Sequence, residues 1–283
     1  LVHTRLLTDY VLKKLKVWRD EISRREVTSD KDEEKLNWSV GVGNLMDLMC
    51  DPNGNSFSIS EAKKALMRNL RDSGTLMPDY VMGQQADAFD CFNAMLLGMR
   101  ESFPTEDTII PDTFEYELCE ETSCPKCKKV IKTVKSKSMA LNLLCEKEIT
   151  SLEDQLDGFF GVIKRTTCNT CKKKEMMITT NNIVKEPKVL QIVLRRQPGG
   201  LNTIQFPLSS LDIGKYLSPS GDDNGSKKKA MYDLYAVMVH KDYMADFGHY
   251  YAYVKSEHDI WHRINDNCVE KLENANEVKK AQA

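Results

Sequence analysis

Two Cys-x-x-Cys pairs, Cys124-Pro125-Lys126-Cys127 and Cys168-Asn169-Thr170-Cys171, constrain this chain more than any other feature. Thiolates two residues apart on one turn can face the same tetrahedral ion at about 2.3 Å, and a second such turn closes the shell. Forty residues separate Cys127 from Cys168, too many for a compact finger, and the gap fits knuckles at the tips of two hairpins. The fold must then bring those tips together. Four cysteines leave no open coordination position, so the ion expected is zinc in a structural role. Lys126, Lys128, Lys129, Lys172, Lys173 and Lys174 flank the thiolates and offset the double negative charge of a tetrathiolate zinc centre. The competing reading is reduced surface cysteines or a redox pair.

Composition excludes several other classes. A net charge of −2 over 283 residues gives no reason to expect a polyanion partner, so nucleic acid is not an expected ligand. No run of about 18 apolar residues and no basic-then-apolar leader is present, so neither a membrane span nor a secretory signal is expected. Nine cysteines, an odd number with two tight pairs, fit a reducing compartment, intracellular in cytoplasm or nucleus.

Along the chain, the front reads as helical. Leu7, Val11, Leu15, Trp18 and Ile22 recur at steps of three and four, the stripe of an amphipathic helix. The charge-dense stretch from Ser23 to Lys35 reads as a solvated loop, Asn44 to Met49 as a short apolar helix, and Asp51 to Asn55 as a turn. Ser60 caps a helix to about Leu70, and Gln84 to Met99 repeats apolar residues with helical period. After Pro111 the pattern turns to strands, starting with the alternation of Thr113 to Leu118. Val189 to Leu194 and Tyr232 to Val239 are apolar on both faces and are expected as central strands. Ser218 to Lys229 reads as a surface loop.

A second chemical signal lies near the end. Gly248-His249-Tyr250 places a histidine at the start of a strand, next to a glycine that permits close approach of backbone and substrate. Asn265, after a short strand from Trp261, is expected on a neighbouring strand, where its amide oxygen accepts the imidazole N–H and fixes the tautomer. Asp266 is the reserve for that role.

These residues resemble the histidine box of the ubiquitin-specific protease family. Tyr232 to His240, Gly248 to Lys255, Trp261 and Asn265 to Val269 follow its pattern. Gly83 to Asp90 is similar to its Gln-Asp box, Val189 to Arg196 to its leucine-lysine-arginine strand, and the two knuckles fall where the family carries a zinc ribbon. The resemblance implies an α+β, papain-like hand across residues 1–283, with a helical thumb at 1–110, zinc-ribbon fingers at 111–188 and an antiparallel sheet palm at 189–283. It implies thiol-dependent hydrolysis after the terminal glycine of ubiquitin, with ubiquitin and ubiquitinated proteins as partners, His249 as base and Asn265 as its orienter. Asp87 and Asp90 match the positions that grip the arginine-bearing tail of ubiquitin, and Tyr250 lines the cleft that takes it.

The family's cysteine box, a Gly-Asn-Thr-Cys run opening a helix, has no counterpart here. With Leu1 in first place, the sequence reads as part of a longer domain. Cys50 ends its helix, Cys91 is expected mid-helix, Cys119 and Cys145 belong to the fingers, and Cys268 packs near Asn265. None is expected to act as the nucleophile. Three functions follow: an active deubiquitinase whose nucleophile is missing from this chain, a ubiquitin-binding pseudoprotease, or an unrelated zinc-ribbon scaffold. This chain alone is expected to be inactive.

Overall fold

A computed structural model of the chain describes residues 5–24, 30–50, 64, 87–102, 108–145, 151–172, 174–196, 203–218, 229–244 and 247–281. Residues 1–113 with 244–249 form one compact unit, and residues 114–243 with 250–283 form a second.

The first unit is built on helices. Helix α1 (Arg5–Arg24) buries Leu7, Val11, Leu15 and Trp18, four residues of the expected stripe. Helix α2 (Asp30–Cys50) packs against α1 and against α3 (Ala88–Ser102), burying Trp38, Val42 and Met46 at steps of four. Two glycines allow the close approach. A Cβ on Gly43 would stand 2.6 Å from Leu15 Cδ1, and one on Gly98 would stand 2.5 Å from Trp38 Nε1. At the rim, Arg19 Nε donates to Asn44 Oδ1 at 3.0 Å and its guanidinium lies 3.4 Å from the Asp47 carboxylate, tying α1 to α2.

Three expectations are corrected here. The charged stretch to Lys35 is not all loop: α1 persists to Arg24 and α2 opens at Asp30. Lysine and glutamate are good helix formers, and acidic residues at a helix start are favoured by the macrodipole. Asn44 to Met49 is accordingly the end of a 21-residue helix and not a short one. The strand expected from Thr113 starts at Tyr116, because Ile109–Phe114 forms a helix, α4. Pro111 sits in its first turn, where a missing N–H leaves no bond unmade, and Asp112 N–H donates to Thr108 O at 2.7 Å. The expected turn at 51–55 lies outside the described residues, as does the helix at 60–70 except Lys64, which is helical.

The second unit carries the sheets. Strands β1 (Tyr116–Ser123), β2 (Val130–Ser138), β4 (Gly161–Thr167) and β5 (Lys174–Lys185) form an antiparallel sheet in the order β2-β1-β5-β4. Strand β3 (Leu141–Cys145) pairs in parallel with β6 (Ile192–Arg196). Helix α5 (Leu152–Phe160) starts at Ser151, whose Oγ accepts from Asp154 N–H at 3.1 Å. Its face enters a core with Tyr116, Leu141, Leu143, Ile183, Ile204 and Ile213, where Phe160 stacks on Tyr216 with ring centroids 4.2 Å apart.

A two-stranded pair joins β7 (Leu211–Asp212) to β8 (Met231–Tyr232). The last sheet, β12-β11-β10-β9, comprises β9 (Ala236–Met244), β10 (Phe247–Lys255), β11 (Trp261–Asn265) and β12 (Cys268–Lys271). Its core is Val237, Val239, Tyr253, Trp261, Val278 and Ala281.

The expectation of two central strands fails among the described residues. Tyr232 to Val239 is split between β8 and β9, β9 lies at the end of its sheet, and β6 has β3 as its neighbour. Apolar residues on both faces misled because β9 buries Val237 and Val239 yet leaves Met238 43% exposed. The loop expected at 218–229 lies outside the described residues apart from its ends.

Candidate functional site

Sheet topology explains how two distant sequence pairs meet. The first knuckle joins β1 to β2 and the second joins β4 to β5; because β1 and β5 are neighbours, both hairpin tips project from the same end of the sheet. The knuckles repeat one geometry. Lys128 N–H donates to Cys124 O and Lys172 N–H to Cys168 O, each at 2.8 Å. Lys128 and Lys172 adopt φ of 59° and 58°, the left-handed conformation usually left to glycine.

The four cysteines converge. Cys124 Sγ lies 3.9 Å from Cys171 Sγ and Cys127 Sγ 3.7 Å from Cys168 Sγ, and all four sulfurs fall within 4.8 Å of one another. A tetrahedron with metal–sulfur bonds of about 2.3 Å has edges of about 3.8 Å. The sulfurs therefore fit zinc, and Cys124, Cys127, Cys168 and Cys171 form a structural tetrathiolate zinc site.

The electrostatics agree. Backbone N–H groups of Cys171 and Thr170 point at the Cys168 sulfur and bring its thiol down to about 6. At Cys127 the Lys129 N–H favours the thiolate, but desolvation and the neighbouring Cys124 and Cys168 sulfurs prevail and push it up to about 11. A bound dication removes that mutual repulsion. Met177, fully buried, and Ile131 pack against the cysteine cluster.

The histidine-box residues occupy the other four-stranded sheet. His249 is the third residue of β10, exposed, on a strand that starts at Phe247, earlier than expected. Asn265 is the half-buried last residue of β11, the strand hydrogen-bonded to β10. The ladder opposes Ala252 to Ile264, Tyr253 to Arg263, Val254 to His262 and Lys255 to Trp261. A tight hairpin through Asp266, at φ 49°, then sets Cys268 opposite Asn265. Tyr250 stacks on His240 of β9, ring centroids 4.3 Å apart and planes 15° from parallel. His240 belongs to the motif read from sequence, but strand alternation alone did not single out its ring.

Asp87 and Asp90 sit at the opening of α3. Asp87 caps it: Oδ1 accepts from Phe89 N–H at 2.7 Å and from Asp90 N–H at 3.4 Å. An aspartate just before an apolar helical run is the signal for this job. Asp90 is exposed in the first turn.

The remaining cysteines are scattered. Cys50 is exposed at the C-terminus of α2, where partial desolvation, then Asp47 and Asp9, raise its thiol pKa. Cys91 is the fourth residue of α3, in its first turn and not mid-helix as expected, because the helix opens only at Ala88. Cys119 and Cys145 are buried, the latter raised by that burial against the opposing charge of Arg196. Cys268 is exposed on β12.

A family model described as ubiquitin carboxyl-terminal hydrolase matches residues 1–283. The chain is 33% identical over 192 residues to ubiquitin carboxyl-terminal hydrolase 16 of Arabidopsis thaliana, covering 63% of this chain and 18% of that protein. It is 33% identical over 180 residues to ubiquitin carboxyl-terminal hydrolase 19 of the same plant, covering 59% of this chain and 26% of that protein. The matched region thus spans about a fifth to a quarter of these relatives' length. Among solved structures, the SAGA Ubp8/Sgf11/Sus1/Sgf73 DUB module bound to ubiquitin aldehyde aligns with a TM-score of 0.73 and 22% identity, covering 96% of this chain and 64% of that one. A related Ubp8 module aligns at 0.72 and 20% identity, covering 99% and 65%. The chain shares their fold, the papain-like α+β hand. No helix among the described residues is long and apolar enough to cross a membrane.

Proposed function

Because the chain belongs to the ubiquitin carboxyl-terminal hydrolase family, we propose that its site serves thiol-dependent hydrolysis of the isopeptide bond after the terminal glycine of ubiquitin. In this reading a cysteine thiolate attacks the glycine carbonyl carbon, His249 having taken the thiol proton. His249 gives that proton to the departing lysine amine, leaving a thioester. Water, deprotonated by His249, then attacks the thioester and releases the ubiquitin carboxylate and the thiol. Asn265 holds the imidazole in one tautomer, and Asp266 stands next to it as the alternate orienter. An amide stabilises the imidazolium less than a carboxylate, a modest cost where the nucleophile is an acidic thiol.

The ladder between β10 and β11 is the observation that carries this reading. Opposed residues share a sheet face, so the Tyr253–Arg263 pair and the period of two put positions 249, 251 and 253 on the same face as 261, 263 and 265. Asp87, Asp90 and Tyr250 would meet the tail of ubiquitin, the two carboxylates pairing with its arginines. The ubiquitin aldehyde held by the Ubp8 module of the same fold supports ubiquitin as the ligand.

The chain by itself binds without cutting. Outside the zinc site, Cys50 lies at the wrong helix end, Cys119 and Cys145 are buried, and Cys268 is on a strand. Cys91 is partly buried in the first turn of α3, the turn that Asp87 caps. The test is ubiquitin with a C-terminal electrophile, read by intact mass and peptide mapping beside a titration with unmodified ubiquitin. Saturable binding without an adduct is expected. An adduct on a single cysteine overturns the inactivity, and absence of any binding overturns the ubiquitin assignment.

A further inference from the structure

We propose that β2, the outer strand of the zinc-bearing sheet, is a docking edge for an extended acidic segment of a partner protein, which adds to it as a further strand. This edge is separate from the zinc ligands and from the residues assigned to hydrolysis.

Three observations carry it. In the order β2-β1-β5-β4, β2 has a neighbour on one side only among the described residues, so every second residue turns its N–H and C=O away from β1. Those groups are ready to pair with another strand. Secondly, β2 is open on both faces: seven of its nine residues are exposed and two half-buried, whereas no residue of β1 is exposed. Thirdly, its charge is of one sign. The hairpins at 116–138 and 161–185 carry twelve lysines and arginines against four glutamates, so a chain with a net charge of −2 holds a strongly basic region. Register with β1 puts Lys135 and Lys137 on one face of β2, and Lys132 with the exposed Val134 on the other. Lys132 reaches Glu120 at 3.9 Å and Lys137 reaches Glu115 at 3.2 Å, while Lys128, Lys129 and Lys135 make no ion pair with a described residue.

Lysines on an edge strand ordinarily guard it against pairing with other chains. The guard is selective, because a strand with carboxylates opposite those lysines gains cross-strand ion pairs where any other strand meets a bare charge. Continuing the antiparallel sheet opposes Lys137, Lys135 and Lys132 to positions n, n+2 and n+5 of the partner, and Val134 to n+3. Nucleic acid fits less well. It has no strand to add, the lysines divide between two faces, and the buried Tyr116 is the one aromatic residue in these four strands and their knuckles, so bases have nothing to stack on.

The test uses the zinc-loaded, full 283-residue chain and a peptide centred on Glu-Thr-Glu-Val-Thr-Glu. Beside it stand a peptide of the same composition with its glutamates out of register, and a DNA duplex. Saturable binding of the registered peptide is expected, on the order of tenfold tighter than the scrambled one, with slowed amide exchange in β2. Lys135→Glu should weaken it on the order of tenfold, the exchange of an attractive cross-strand pair for a repulsive one. A peptide with lysine in place of the facing glutamate should recover the loss, which also shows that the variant is folded. Equal binding of the two peptides, tighter binding of the duplex, or binding without protection of β2 overturns the proposal. No binding at all leaves the lysines as guards of the edge and overturns it too.

Discussion

The zinc knuckles and the histidine-bearing sheet solve one problem, fixing polar side chains in space, by opposite means. At the fingertips each ligand pair is set by a two-residue spacing and a turn closed by backbone hydrogen bonds, and the ion supplies the remaining constraint. In the other sheet His249 and Asn265 are carried on neighbouring strands, β10 and β11. Their places follow from strand register over a packed core containing Tyr253 and Trp261. A metal site is robust to its surroundings but depends on four atoms, whereas a register-built site depends on every residue that holds the ladder.

Removing one ligand should give the largest effect. Cys124→Ser leaves three thiolates without closure, and structural zinc contributes on the order of 10 kcal/mol to folding of small zinc domains. Loss of stoichiometric zinc and melting of the finger sheet are expected by metal analysis and hydrogen exchange; unchanged exchange in β1 and β5 would break the comparison. Next comes Trp261→Ala, which should cost about 3–5 kcal/mol. It should loosen β10 and β11 in thermal melts while zinc stoichiometry stays intact, showing that the two regions fail separately.

Asp87→Ala should cost about 1 kcal/mol through the lost helix cap. Because Asp87 is also proposed to bind ubiquitin, Asp87→Ser should recover the melt but not the affinity.

A smaller effect concerns Asp157. Lys215, then the Tyr216 hydroxyl, hydrogen-bond its carboxylate, at 2.6 and 2.7 Å, and hold its pKa below the ordinary carboxylate value. A lowered folded-state pKa means the stabilisation is present above the unfolded value and disappears as pH falls through the folded one. The group is half exposed, so the effect stays below about 1 kcal/mol. Wild type should melt higher than Asp157→Asn at neutral pH, and the gap should close below about pH 4. Smallest of all, Lys128→Gly should relieve the left-handed turn, partly offset by the greater chain entropy of glycine, and raise stability by about 0.5 kcal/mol or less, with zinc retained.

How much of this was legible in the sequence follows from the same contrast. The stripe of α1, the apolar run of α3, the four zinc ligands and the strand from Trp261 are all written in local spacing, and the structure reproduces each. Local charge density misled at Ser23 to Lys35, since a charged stretch is as compatible with a solvated helix as with a loop. Apolar content misled at Val189 to Leu194 and Tyr232 to Val239, since it does not report which neighbours a strand will have. The parallel pairing of β3 with β6 joins segments far apart in the chain and left no local trace. The cap at Asp87 was readable but was absorbed by its proposed binding role. The stack of His240 on Tyr250 depends on register between β9 and β10, which the motif does not encode.

The proposed orientation of His249 by Asn265 for ubiquitin hydrolysis is reported directly by the imidazole. Nitrogen-15 shifts of His249 give its tautomer populations in the wild type and in Asn265→Ala, with and without ubiquitin. One dominant tautomer in the wild type, a mixture in Asn265→Ala and a change on adding ubiquitin are predicted. Identical populations in both proteins, unmoved by ubiquitin, would contradict the account.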